Sequence, residues 1–261
     1  MYLPKCIPSS LLHLICRVPF LVVPIAVGLF LGLPHITGIP PCCTPESMIT
    51  FCFDDGYIST YEFAYPILKE YGFVGTAFII PSKVGEDGYM TWSQIKELYQ
   101  EGWEIGSHSY THPYLTQVSD QKLEREVFLS KVVLEREGFN VVSFASPYGD
   151  WNEHTLSVIR QYYLLHRTSW PFDLNSLPLT EEQHYTLKAV GVDEISLDEV
   201  KQWILRAKEE KKWLILIFHR INEDVDEYNL TLGAFREIVD YVHSLGFGGI
   251  TFDELFDRST Q

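Results

Sequence analysis

From residue 48 onward the chain alternates between short apolar runs and longer stretches whose apolar residues recur every three or four positions. Short runs rich in β-branched and aromatic residues, stopped by Gly or Pro, predict buried strands, and the longer pattern predicts amphipathic helices. Strands are expected at 48–53, 74–80, 103–105, 141–145, 163–166, 213–218 and 249–251. Helices are expected at 59–71, 91–101, 119–137, 152–161, 197–210 and 231–245. Thr91 followed three residues later by Gln94 is a capping-box pattern, and Gly138 suits a helix end. Residues 168–196 carry no sustained period, and one extra strand is expected there, near 185–190. Strand and helix alternating in this way imply parallel strands with helical crossovers, and about seven such units favour an α/β barrel over an open sheet. No Gly-x-Gly-x-x-Gly follows the first strand, so a dinucleotide fold is unsupported.

Residues 1–44 read as a separate unit. The stretch 11–33 is strongly apolar, Lys5 and Arg17 are its bases, and it holds no acid. The 16 uncharged residues 18–33 are short for a membrane span and suit a secretory apolar region; counted from Leu11 the segment is long enough to cross. Pro19, Pro24 and Pro34 would kink a helix. A signal peptide and an uncleaved N-terminal anchor both fit, since no A-x-A site follows; a buried N-terminal helix of a cytosolic protein is the alternative. The Pro- and Gly-rich residues 37–45 read as a linker. The organisation expected is therefore an export or anchor segment plus linker over 1–44 and a folded domain over 45–261. The protein is expected to be secreted or at the cell surface, touching the membrane through 11–33 if the segment is retained.

Composition narrows the partners. At 261 residues and 46% apolar content the chain can bury one large core. Beyond residue 44 there are 18 basic against 35 acidic residues, a net of −17, which excludes nucleic acid as a partner. Cys6, Cys16, Cys42, Cys43 and Cys52 match neither a zinc knuckle nor a disulfide framework. No protein partner is predicted.

The chemistry gathers where strands end. The first strand runs into Asp54-Asp55-Gly56. Two carboxylates facing an apolar core are costly unless a cation holds them. His108 and His112, four residues apart, are expected one above the other on a helical turn. Two imidazoles and a carboxylate are a usual ligand set for catalytic zinc, with the fourth position left to water. The other aspartate is then free to act as a base. Pro147-Tyr148, Arg167 and His219 also fall at strand ends, where sites sit in parallel barrels.

Phe53-Asp54-Asp55-Gly56 followed by His108-x-x-x-His112 resembles the polysaccharide deacetylases, carbohydrate esterase family 4, and the resemblance runs over about residues 46–258. It implies a distorted barrel with fewer than eight strands, Asp55, His108 and His112 on a divalent metal such as zinc, and Asp54 as general base. Ser146-Pro147-Tyr148-Gly149-Asp150 is similar to the family's third motif, in which the tyrosine offers its backbone N–H to the oxyanion. Leu214-Ile215-Leu216-Ile217-Phe218-His219 is similar to the last motif, whose histidine protonates the leaving amine. The family commonly has an arginine two residues before the motif's proline; Ala145 stands there, as in a subgroup acting on exported poly-N-acetylglucosamine, and Arg167 is expected to supply the cation instead. Trp170 and Asp173 lie where the family places an aromatic and an acid that supports the histidine. The activity implied is metal-dependent removal of N-acetyl groups from an N-acetylglucosamine polysaccharide. Trp92, Tyr110, Tyr114, Trp151 and Trp170 are candidates for stacking on sugar rings. Two other readings are an amidase for a small cyclic amide or imide and a membrane-tethered glycan-binding module with a decayed site, which need hold no metal.

Overall fold

The structure, a computed structural model, describes residues 47–223 and 230–259. The apolar segment 11–33, the linker and four of the five cysteines lie outside the described residues; Cys52 is a free, buried thiol. Among the described residues no helix is long and apolar enough to cross a membrane.

The main sheet is wholly parallel. Its strands are β1 (Met48–Phe53), β2 (Gly75–Ile79), β3 (Glu104–Ser107), β4 (Ser143–Ala145), β5 (Leu165–Arg167), β6 (Val190–Gly191) and β7 (Leu214–Phe218), in the order β5-β4-β3-β2-β1-β7-β6. Two further strands, β8 (Ile221–Asn222) and β9 (Leu230–Thr231), pair only with each other, and β10 (Gly248–Gly249) pairs with the first residues of β1. The extra strand expected near 185–190 is divided between two partners. Leu187 bridges Arg167 in parallel, its amide donating to the His166 carbonyl, and Val190–Gly191 then pair with Leu216–Ile217. Residues 187–191 thus reach from β5 to β7 and close the sheet into a distorted barrel, as the strand count predicts.

Alternation along each strand sorts the side chains. Cys52, Phe78, Ala145, Leu165, Leu187, Ala189, Ile215 and Ile217 form one buried cluster, inside the barrel, with Trp213, Phe252 and Leu255. Phe51, Phe53, Leu214, Leu216 and Phe218 belong to the outer core, under the helices. Gly106 faces inward where a Cβ would come within 2.5 Å of the Phe78 ring, so the barrel closes around Phe78 only because this position has no side chain.

The helices form where their caps predict. They are α1 (Tyr65–Glu70, preceded by a π-wound turn at Thr60–Ala64), α2 (Trp92–Gln100), α3 (Asp120–Arg136), α4 (Glu153–Ile159), α5 (Leu197–Glu210), α6 (Leu232–Ser244) and α7 (Phe252–Ser259). The Thr91–Gln94 capping box is present at α2, and Ser196–Glu199 makes another at α5. Helix α7 seals the N-terminal end of the barrel. Glu104, the first residue of β3, accepts hydrogen bonds there from the amides of Phe252 and Asp253 (2.7 and 3.3 Å), Ser143 Oγ (2.6 Å) and Thr76 Oγ1 (3.1 Å).

Candidate active site

The C-terminal ends of the strands carry the expected residues into one place. The ladder extends one bond past β1 and β3, Asp54 N–H donating to the Phe218 carbonyl and His108 N–H to that of Ile79, each at 2.9 Å. Asp54 and His108 are thereby fixed to the barrel rim by backbone. Asp54, Asp55, His108, His112, Tyr148, Arg167 and His219 all line one cavity of about 350 Å³, together with Ser169, Gly191 and Glu194.

Three ligand atoms converge in it. His112 Nε2 lies 3.3 Å and His108 Nε2 3.6 Å from Asp55 Oδ1, and the two imidazole nitrogens are 3.2 Å apart. Asp55 Oδ1 is buried without a hydrogen-bond donor. An orphaned carboxylate oxygen beside two imidazole nitrogens is a donor set that fits a divalent cation. The His108 ring is set for this: its Nδ1–H donates to the Ala145 carbonyl at 2.8 Å, which leaves Nε2 as a lone pair facing Asp55. Burial first, and the neighbouring His108 second, push His112 down to about 4, so it is neutral and able to ligate at ordinary pH.

The histidines do not share a helical turn. His108 follows directly on β3, and His112 reaches it through a loop in which Ser109 (φ 59°) and His112 (φ 64°) are left-handed. Pro113 disfavours the helical region for the residue before it, which is the signal the four-residue spacing obscured. Asp55 (φ 70°) and Tyr148 (φ 59°) are left-handed as well. Four non-glycine residues in that sparsely populated region around one cavity are held there by the surrounding structure.

Asp54 has a different environment from Asp55. Its Oδ2 accepts from Arg167 NH2 at 2.5 Å, and its Oδ1 has no donor. Burial would raise its pKa, but the Arg167 guanidinium, with His108 and His219, outweighs burial and lowers it. Arg167 is buried, lies 5.2 Å over the Phe78 ring and leaves Nε without a partner. Ala145 pairs in register with Arg167 across β4 and β5, so the cation reaches the site from the neighbouring strand.

His219 stands at the end of β7, and its Nδ1–H donates to Asp193 Oδ2 at 2.7 Å. Lost solvation lowers its pKa; the Asp193 hydrogen bond and the Asp54 charge overcome this and push it up to about 9. Asp173 is not its partner, because that carboxylate pairs with Lys188 (2.8 Å) and Arg206 (3.5 Å) on the surface. Tyr148 sits on the rim, 55% exposed, its ring stacked on Tyr114 (centroids 3.9 Å, 10°) and edge-on to His112 at 4.6 Å. Gly149 brings this loop against Ser169, whose Oγ lies 1.9 Å from where a Cβ would stand. Trp170 is 66% exposed, whereas Trp92 is half-buried and packs on Phe139 against the core.

Residues 42–164 match the family model described as polysaccharide deacetylase. Over that stretch the chain is similar to the polysaccharide deacetylase family. Among curated proteins it is 35% identical over 114 residues to YxkH of Bacillus subtilis (strain 168), which covers 42% of this chain and 40% of that protein. It is 28% identical over 176 residues to the poly-beta-1,6-N-acetyl-D-glucosamine N-deacetylase of Staphylococcus aureus (strain MRSA252), covering 61% of this chain and 59% of that one. The matches thus span about two to three fifths of the length of these curated relatives. Among solved structures, the Xyl-CE4 domain of a multidomain xylanase from the hindgut metagenome of Trinervitermes trinervoides superposes with a TM-score of 0.59 at 22% identity, covering 82% of this chain and 91% of that one. The Streptococcus pyogenes deacetylase PplD, solved in complex with acetate, gives a TM-score of 0.50 at 29% identity over 54% of this chain and 62% of its own. The barrel fold is therefore shared with these structures.

Two residues that support this candidate site escape a reading of the sequence. Asp193 lies in the stretch without hydrophobic period, next to Glu194, and nothing local marks one of the two acids as the partner of a histidine 26 residues away. Glu126 occupies the apolar face of α3 between Leu123 and Val127, and a charged residue on that face was the available signal.

Proposed function

We propose that the chain is a metal-dependent deacetylase that removes N-acetyl groups from an N-acetylglucosamine polysaccharide. The observation that carries this reading is the convergence of Asp55, His108 and His112 beside an unliganded, Arg-paired Asp54. Asp55, His108 and His112 would hold a divalent cation, zinc by their donor types, which when bound polarises an acyl oxygen and acidifies water. Asp54, kept ionised by Arg167, takes the proton of the attacking water. The Tyr148 backbone N–H, on the rim of the same cavity, would donate to the oxygen that gains charge as the carbonyl is attacked. His219, protonated at neutral pH and held by Asp193, gives its proton to the amine as the C–N bond breaks. Acetate and a free glucosamine unit leave.

The exposed rings of Tyr114, Tyr148 and Trp170 around an open cleft favour a sugar chain over a small cyclic imide. The name of the Staphylococcus aureus relative supports a β-1,6-linked polymer, and export through 11–33 would bring the domain to such a substrate. Acetate release tests the reading, measured on β-1,6- and β-1,4-linked N-acetylglucosamine oligomers, peptidoglycan and a small imide, with and without chelator. Release from the β-1,6 oligomers that chelator abolishes and Zn²⁺ restores is the expected result. Zinc-loaded protein that deacetylates no glycan, or turnover indifferent to chelator, defeats the proposal.

A further inference from the structure

His108 and His112 are aimed by different means. His108 is oriented through its ring, by the Ala145 carbonyl, and its backbone is bonded into the barrel. His112 sits four residues out on the loop, in a left-handed conformation that a free loop would abandon. Its amide donates to Ser109 Oγ at 3.0 Å, but Ser109 is itself left-handed and part of the same loop. Something outside the loop must fix it.

Helix α3 supplies that contact. Glu126 is only 4% exposed, among Leu123, Val127 and Ser130. Both its carboxylate oxygens go to one residue: Oε2 accepts from Thr111 N–H at 2.7 Å and Oε1 from Thr111 Oγ–H at 2.6 Å. Its backbone carbonyl accepts from Tyr110 N–H at 3.1 Å. One helical residue therefore makes three hydrogen bonds to the two residues that precede His112. A buried carboxylate is a costly device for holding a surface loop, and a site of this geometry has a use for it.

The geometry points to Glu126 as a positioning residue for His112, a clamp that sets metal affinity from a helix that never touches the metal. The inference rests on the proposed metal site. It assigns Glu126 the part that the Ala145 carbonyl plays for His108, exerted on backbone instead of on the ring. Groups of this outer kind change metal affinity by about 10- to 100-fold when removed.

The full chain, stripped of metal and titrated with Zn²⁺ against a chromophoric chelator, separates the two ideas. His112→Ala tests the metal site alone: if it binds Zn²⁺ as tightly as the wild type, the site reading fails whatever Glu126 does. With that control lost as expected, Glu126→Ala is expected to weaken Zn²⁺ binding by about 10- to 100-fold. Glu126→Gln can still accept from the Thr111 amide and donate to its hydroxyl, and is expected to recover most of the affinity. Thr111→Ala changes an exposed residue that the fold tolerates, and is expected to cost about fivefold, the share of one hydrogen bond. Wild-type affinity in Thr111→Ala, or in a folded Glu126→Ala, overturns the assignment. A Glu126→Gln loss as large as that of alanine overturns it too, because charge and not position would then be at work.

Discussion

At the sealed end of the barrel, Glu104 receives four hydrogen bonds, from two hydroxyls and two helix-α7 amides. At the open end, Asp54 and Asp55 each keep a buried oxygen with no donor. Strand β3 runs between the two, with Glu104 at its start and His108 one residue beyond its end, on the same face. The difference separates a carboxylate that serves the fold from carboxylates proposed to serve a reaction. A buried oxygen surrounded by donors has its interactions completed by the protein, and removing it leaves those donors stranded. An oxygen left bare is an unfinished bond, tolerable only because something else completes it or because it acts on a substrate.

Substitution at the two ends gives the sharpest contrast. Asp55→Ala is expected to lower kcat/KM for acetate release by roughly 10³-fold while changing the urea unfolding free energy by less than about 1 kcal/mol. Glu104→Ala is expected to do the reverse, losing about 3 kcal/mol of stability while its folded fraction keeps a near-normal turnover. If Asp55→Ala proves as destabilising as Glu104→Ala, the distinction between the two ends collapses. A smaller effect is expected at Asp193. His219, raised to about 9, is protonated at neutral pH and loses its acid form as pH climbs through that value. Asp193→Asn keeps an acceptor for Nδ1–H but removes the negative charge that helps raise it, so the alkaline limb of the rate profile should move to lower pH and kcat should fall by about 10²-fold. An unmoved limb would detach Asp193 from the chemistry. The mildest test is at the sealed end. Burial, then the Asp253 charge, push Glu104 up to about 8 against the hydrogen bonds it accepts. A carboxyl raised in the folded state favours folding most below its unfolded pKa, about 4.5, and loses that contribution as pH rises through about 8. Glu104→Gln should flatten the decline in unfolding free energy between pH 5 and roughly 8, measured by urea titration.

Much of this arrangement is legible in the sequence because strand ends are. Asp54, Arg167 and His219 each terminate a run of buried residues, and in a parallel barrel all such termini face one opening. The barrel itself follows from the alternation of runs and amphipathic stretches. What is hidden depends on contacts with no local period. The His108–His112 loop imitates a helical spacing, and only Pro113 speaks against it. Asp173 and Asp193 look alike along the chain; three-dimensional neighbours decide, Lys188 and Arg206 claiming the first and His219 the second. Closure is hidden as well, since Leu187 and Val190–Gly191 are too brief and too divided between partners to read as one strand.

That seam, residues 187–191, runs straight into the turn that carries Asp193 and Glu194. The last stave of the barrel and the support of the proposed proton donor are one uninterrupted piece of backbone. A molecule whose seam has parted therefore keeps most of its helices and its outer core yet cannot hold His219 in place. Competence and circular integrity are tied together: under the proposed mechanism, only a ring that has been fully drawn shut can hand a proton to the departing nitrogen.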